Sequence, residues 1–262
     1  MAEKVTIGNC ELWHGDCREV LPLLPPVDLI LTDPPYGIGA SSGVGKYGVM
    51  KWGGDADKKW DEDTPPQWLM LLMLEKADYL VVFGGNYFSL PPSRNYLVWD
   101  KGAGFKNRTF AECEFAWCSW DGNAKVLTRD PLACGDYAHK VHPTQKPVRV
   151  LEWAMSLAPK SDTVCDPFMG AGTTGVAALN LGKRFVGVER ERQYFDAACE
   201  RIDRALAQPR LFDDAKVGAG DTAVQGDMLL PANAKGEGPG AVLAHGPSRP
   251  TGCASTGEDN KC

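Results

Sequence analysis

No apolar run in this 262-residue chain approaches the roughly 20 residues of a membrane-spanning helix; Leu69 to Leu74 is short and belongs to an amphipathic helical pattern. The first residues, Met1-Ala2-Glu3-Lys4, lack the basic-then-apolar order of a secretory signal, so the expected location is the cytoplasm. The nine cysteines are scattered and contain no C-x-x-C pair. Cys113 and Cys118 have neither a second pair nor a nearby histidine to complete a zinc site, so no metal is expected and the thiols read as reduced and packed. Positive charge is also short. The net charge of −6 and pI of about 5.3 do not advertise a nucleic-acid binder, although binding follows local rather than total charge. One local exception is Lys101, Lys106 and Arg108, three basic residues with no acid among them. What the chain does have is 44% apolar residues, enough for one α/β domain with a real core.

Strand and helix patterns alternate along the first 208 residues. Val5 to Trp13 suggests a short hairpin or two small strands, Asp16 to Leu24 a brief helix and Val27 to Asp33 a buried strand. A long glycine-rich loop runs from Gly37 to Asp63, a length associated with function or mobility. Thr64-Pro65-Pro66 then opens a helix to about Lys76, followed by a strand at Tyr79 to Phe83. Asn95 to Asp100 and Phe110 to Trp120 alternate like strands, whereas Val126 to Val141 is polar and irregular. Pro147, read as a first-turn proline, starts a helix that stops before Pro159. Thr163 to Phe168 (strand), Thr174 to Leu181 (helix), Arg184 to Glu189 (strand) and Glu191 to Leu206 (helix) complete the series. Such alternation predicts a doubly wound, mostly parallel sheet. Residues 209–262 are rich in Gly, Ala and Pro with few large apolar residues, and read as a flexible tail.

Two stretches carry chemistry. Asp33-Pro34-Pro35-Tyr36 falls where the Val27 strand ends, and two consecutive prolines forbid further pairing while stiffening the backbone. A carboxylate, a rigid carbonyl and an aromatic ring are thus presented at the carboxyl edge of a strand, where open α/β sheets bind ligands. A planar group with an exocyclic amine suits them: Asp33 and the Pro34 carbonyl accept its two N–H bonds and Tyr36 stacks on its face. A proline-rich turn with a core tyrosine would look the same in isolation.

The second stretch, Asp166-Pro167-Phe168-Met169-Gly170-Ala171-Gly172-Thr173-Thr174-Gly175, follows a strand and opens a helix. Its glycines satisfy G-x-G-x-x-G, and Glu189 ends the next strand, where an acid binds ribose hydroxyls. Together they describe a nucleoside-cofactor site. A dinucleotide would place its pyrophosphate at the helix N-terminus, which Asp166 and Phe168 crowd. A carboxylate and an aromatic face suit instead a ligand with an ammonium and a sulfonium, and S-adenosylmethionine has both. Gly45-Lys46 hints at a phosphate loop, but the upstream glycine is misplaced and Tyr47 stands where Ser or Thr is required.

These residues, in this order, resemble the amino-group DNA methyltransferases with permuted motifs, the beta group. Asp33 to Tyr36 looks like their catalytic motif, Asp166 to Gly175 like their cofactor motif, and His142-Pro143-Thr144-Gln145-Lys146-Pro147 like the segment that precedes the latter. Gly15-Asp16 resembles the acidic position that meets the adenine amine of the cofactor. The resemblance covers about residues 8 to 206, with two departures: only about residues 101–141 remain for target recognition, and the loop after Tyr36 is long. It implies a Rossmann-like S-adenosylmethionine-dependent fold and methyl transfer to the N6 of an adenine flipped out of double-stranded DNA. It implies Asp33, Pro34, Pro35 and Tyr36 as catalytic residues. For the cofactor it implies Asp16, His142, Lys146, Asp166, Phe168, Gly170, Gly172, Thr173, Thr174 and Glu189, with Lys101, Lys106 and Arg108 as candidate DNA contacts. His142 and Lys146 would meet the cofactor carboxylate or cap the next helix. Trp52, Trp60 and Trp99 read as core before DNA-stacking residues, and His139 as a loop residue. A homodimer stays open. Cytosine-N4 transfer presents the same amine geometry, and aspartate as the first motif residue leans towards adenine. A non-catalytic binding module and a nicotinamide oxidoreductase are the competing classes.

Overall fold

The computed structural model describes residues 2–37, 44–45, 48–49, 64–108, 111–138, 140–142 and 144–208. All lie in the first of two units, Met1–Leu211 and Phe212–Cys262. The expected tail, most of the glycine-rich loop, Trp52, Trp60 and His139 fall outside the described residues.

Nine strands form one sheet. β1 (Glu3–Ile7) and β2 (Cys10–His14) make the expected hairpin, followed by the short helix α1 (Cys17–Val20) and β3 (Val27–Thr32). A two-stranded ribbon, β4 (Val44–Gly45) with β5 (Gly48–Val49), stands apart from that sheet. Then come α2 (Gln67–Lys76), β6 (Ala77–Phe83), β7 (Tyr96–Asp100), β8 (Cys113–Cys118) and β9 (Lys125–Thr128). The chain closes with α3 (Val148–Leu157), β10 (Thr163–Asp166), α4 (Thr173–Asn180), β11 (Arg184–Glu189) and α5 (Arg192–Ala207). The spatial order is β1-β2-β11-β10-β3-β6-β8-β7-β9. The stretch from β2 to β6 is parallel, while β1 and β8 run antiparallel to their neighbours.

Alternating apolar residues place helices on both faces. Leu29 and Leu31 of β3 and Val81 and Phe83 of β6 join a core with Val150 and Ala154 of α3, Ala178 of α4, and Phe195, Ala198 and Ile202 of α5. Ile30, Leu80 and Val82 point the other way, into a second core with Val20 of α1 and Leu69, Met70 and Met73 of α2. Within β3 the residue Asp28 is only half-buried, and its carboxylate accepts the N–H groups of Asp162 (2.8 Å) and Thr163 (2.7 Å), fixing the start of β10 beside β3.

Two details depart from the sequence reading. Lys125 to Thr128, within or beside a segment expected to be irregular, pairs in parallel with β7. It is mostly exposed at the sheet edge, so backbone pairing holds it without an apolar alternation to betray it. Pro147 stands one position before α3, as the capping residue with extended backbone (φ −61°, ψ 138°).

The topology positions the site. From β3 the chain crosses through α2 to β6 on one side, and from β10 it crosses through α4 to β11 on the other. The two crossovers diverge from neighbouring strands, so the carboxyl ends of β3 and β10 border the switch point where doubly wound sheets bind ligands.

Candidate active site

Asp33 and the glycine loop leave the sheet at these two adjacent strand ends. A cleft of about 290 Å³ opens between them, lined by Asp16, Asp33, Pro35, His142, Lys146, Asp166, Phe168, Gly170, Thr173, Thr174 and Glu189. Pro34, Tyr36, Gly172, Lys101, Lys106 and Arg108 are not part of that lining.

On the loop side, Asp166 is almost fully buried. One of its oxygens accepts from Thr32 Oγ1 (2.7 Å) and the Phe168 N–H (3.0 Å), and the other from Thr174 Oγ1 (2.6 Å). This carboxylate, which also lines the cleft, ties β3, β10 and α4 together and shapes the loop. Burial pushes its pKa up to about 6 against those three hydrogen bonds. Glu189 accepts the Gly170 N–H (2.9 Å) and the Glu191 N–H (2.7 Å), and burial pushes its pKa up to about 7.

The three glycines divide their work. Gly170 (φ +51°) turns the loop, with only ordinary contact, 3.7 Å from His142, where a Cβ would sit. Gly172 (φ +74°) would set a Cβ 2.9 Å from that of Ala198, and Gly175 would set one 2.6 Å from Ile202 Cδ1. Those two let α5 pack against α4 rather than letting a ligand approach. Arg201 of α5, which no motif flagged, donates to the Ala171 carbonyl and to Thr173 Oγ1, holding the loop from behind.

Asp16 caps α1 through the Arg18 N–H (2.9 Å) and binds the Arg18 guanidinium, whose hydrogen bonds hold the carboxyl below its usual range. His142 stands edge-on to Tyr194 (4.3 Å between ring centres), and Nδ1 accepts the Thr144 N–H (3.3 Å). Burial pushes its pKa down to about 3, which leaves the imidazole neutral.

On the catalytic-motif side, Tyr36 Oη donates to Asp33 Oδ1 (2.5 Å). The Tyr36 ring lies flat on Tyr87, with 4.8 Å between centres and planes 12° apart, so one face already has an aromatic partner. Lys146 is buried, and its ammonium is ion-paired with Asp33 Oδ2 and, at 3.1 Å, with Glu114 Oε2. It does not cap α3, and both of its ion-pair partners are carboxylates of the protein, although it also lines the cleft. Lys101 is a correction of the same kind. Its buried ammonium meets Glu114 Oε1 at 2.7 Å and cannot reach DNA from there. Only Lys106 and Arg108 of the basic trio are exposed, with Lys106 3.0 Å from Glu112 and Arg108 over the Phe105 ring. Trp99 is core, as expected, at 1% exposure.

Glu114, Tyr87 and Gly84 were not singled out from sequence. An acid inside the otherwise apolar run from Cys113 to Cys118 was the available signal for Glu114. Among the described residues no helix is long and apolar enough to cross a membrane and no cluster of His, Cys, Asp or Glu is placed to hold a metal ion.

The doubly wound sheet, with a glycine loop after β10, an acid at the end of β11 and Asp33-Pro34-Pro35-Tyr36 after β3, has the fold of S-adenosylmethionine-dependent methyltransferases. Residues 93–200 match the DNA methylase family of N6 and N4 enzymes. The chain is 31% identical over 225 residues to a protein of Escherichia coli (strain K12) named "Putative methylase YubD", covering 77% of this chain and 95% of that one. It is 26% identical over 242 residues to the Type II methyltransferase M2.LlaDCHI of Lactococcus lactis subsp. cremoris, covering 75% and 90%. The crystal structure of an M1.HpyAVI–SAM complex superposes with a TM-score of 0.50 at 21% identity, over 74% of this chain and 99% of that one, and shares the fold. This protein belongs to the N6/N4 family of DNA methylases.

Proposed function

We propose that this methylase transfers a methyl group from S-adenosylmethionine to the exocyclic N6 of an adenine flipped out of double-stranded DNA. The observation that carries the reading is the placement of Asp33 and of the Asp166–Gly175 loop at adjacent strand ends, facing one cleft. The lining suits the cofactor: Asp16 and Glu189 supply carboxylates, Phe168 supplies an aromatic face, and Gly170 leaves bare backbone beside Glu189. When bound, S-adenosylmethionine supplies an electrophilic methyl group on a positively charged sulfur. Glu189 would accept ribose hydroxyls and Asp16 the cofactor's adenine amine.

The target amine is a weak nucleophile because its lone pair is spread into the ring. Asp33 and the Pro34 carbonyl accept its two hydrogens, which concentrates electron density on nitrogen and orients the lone pair. Asp33 need not take a proton beforehand, since nitrogen sheds one after attack. Positioning and fixed dipoles supply most of the acceleration. The base leaves the helix at a cost of about a few kcal/mol of unstacking, and Tyr36 holds it.

Asp33 heading its motif favours adenine over cytosine. Incubation with labelled methyl donor and DNA, followed by digestion to nucleosides, should give N6-methyl-2′-deoxyadenosine. Label in 4-methylcytosine alone would overturn the choice of base, and no transfer to any DNA would overturn the activity. Asp33→Ala should abolish turnover with cofactor affinity within about twofold of wild type.

A further inference from the structure

Asp33, Lys146, Glu114 and Lys101 form a row of alternating charge from four separate parts of the chain. Lys146 Nζ pairs with Asp33 Oδ2 and lies 3.1 Å from Glu114 Oε2, and Glu114 Oε1 lies 2.7 Å from Lys101 Nζ. The Lys146 and Lys101 side chains are only 6% and 10% exposed. Burying two ammonium groups is tolerable because each meets a carboxylate of Asp33 or Glu114, which are themselves only partly exposed.

The contacts are not equivalent. Tyr36 donates to Asp33 Oδ1 and Lys146 holds Oδ2, so the carboxylate is clamped at both oxygens. Glu114 Oε2 is buried and near Lys146 but makes no well-aligned hydrogen bond, so it acts on that ammonium by charge. Lys146 is bound more directly to Asp33 than to Glu114, and Glu114 is bound more directly to Lys101.

We infer that Lys146 and Glu114 are positioning residues for the methyl transfer: Lys146 fixes Asp33 Oδ2 so that Oδ1 faces the target amine, and Glu114, anchored by Lys101, holds Lys146 in place. This rests on the reading of Asp33 as the amine acceptor. It also links the catalytic motif to the segment 101–141, from which Glu114 and Lys101 come. Lys146 thereby sets the carboxylate rather than the cofactor. Among the described residues, the other titratable groups facing the row are Tyr36 and Asp166 near Asp33, and Tyr137, Lys140 and His142 near Glu114 and Lys146.

The test follows the titration of the Asp33 carboxyl by ¹³C NMR in the cofactor-free protein, its signal assigned by loss in Asp33→Asn. Lys146→Met removes the adjacent cation and should move the Asp33 midpoint up, by about 1–3 pH units. Glu114→Gln removes a neighbouring anion but keeps a side-chain oxygen that can still hold the Lys146 ammonium on Asp33, and should move it down. Packing damage alone would not shift the two in opposite directions. The acid limb of kcat should follow the same two directions, with kcat at neutral pH at least about tenfold lower in Lys146→Met. Cofactor affinity should stay within about twofold of wild type in both.

Midpoints that stay put in both folded variants, or move the same way, overturn the inference. So does a Lys146→Met protein that loses cofactor affinity while its Asp33 midpoint is unchanged. Should Lys146→Met fail to fold, Glu114→Gln and the charge-retaining Lys146→Arg decide: a downward shift in the first and less than about half a unit in the second support the inference, and any other pair of results overturns it. A wild-type protein that methylates no DNA would sink the proposed activity, and the NMR midpoints would still decide the role of the row.

Discussion

Tyr36 occupies the space a side chain at Gly84 would need: a Cβ there would lie 2.1 Å from Tyr36 Cε1 and 2.5 Å from Cζ. Gly84 also has a φ of +66° and donates its N–H to the Phe115 carbonyl at 2.7 Å, so its backbone has no freedom to retreat. The ring that stacks on Tyr87 is therefore placed by the bare turn after β6. Gly84→Ala should displace Tyr36 and with it the hydroxyl bonded to Asp33. We expect methyl transfer to fall at least about 100-fold, as for other misplaced catalytic groups. Cofactor binding, measured by calorimetry, should be unchanged because neither residue lines the cofactor cleft.

Gly175 tests the other half of the site. A Cβ there would come within 2.6 Å of Ile202 Cδ1 and 2.8 Å of the Phe185 ring, both in the core. Gly175→Ala should lower stability by about 1–3 kcal/mol, the usual cost of overpacking, read from the midpoint of urea unfolding. Gly170→Ala meets no such crowding, but its φ of +51° carries a strain cost of about 1 kcal/mol or more.

Much of this was legible along the chain, for physical reasons. Buried strands such as β3, β6 and β11 announce themselves because both faces demand apolar residues. The Asp33-Pro34-Pro35-Tyr36 turn and the glycine loop are legible because prolines and glycines impose local backbone geometry. The charge row was not. Lys101 and Lys146 look like solvated or ligand-binding lysines in a linear sequence, and it is the pairing of β8 with β7 on one side and β6 on the other that brings Glu114 between them. Asp166 was legible as a motif residue, but nothing local reveals that Thr32, distant in sequence, donates to its carboxylate.

That bond between Thr32 and Asp166 suggests its own test. Thr32→Val keeps the shape of a buried side chain on β3 but removes the hydroxyl donor from Asp166 Oδ1. The loss should cost about 1–3 kcal/mol of stability, the range for a buried polar group deprived of a partner. It should also raise the Asp166 midpoint further above about 6, because a hydrogen bond that favours the ionised form is gone while burial still opposes it. Urea unfolding of the variant at pH 8 and pH 5 should therefore show the larger deficit at pH 8.

The proposed role of Glu189 at the cofactor ribose can be read through its proton. Its ordinary value is 4.5, and burial lifts it to about 7 in the folded, cofactor-free protein. Between those values the folded protein holds a proton that the unfolded chain has released. The Glu189 contribution to stability is therefore fully present below about pH 4.5 and is lost as pH rises through about 7. Ribose hydroxyls donating to Glu189 would favour the carboxylate instead, so cofactor binding should release a proton near pH 6.5. Calorimetry in buffers of different ionisation enthalpy reads that proton directly. The affinity should weaken by about tenfold from pH 8 to pH 6, the ratio expected one pH unit below the midpoint. In Glu189→Gln the proton release should vanish and the affinity should be low and flat across the same range. An unchanged pH dependence in that variant would mean that another group carries the proton.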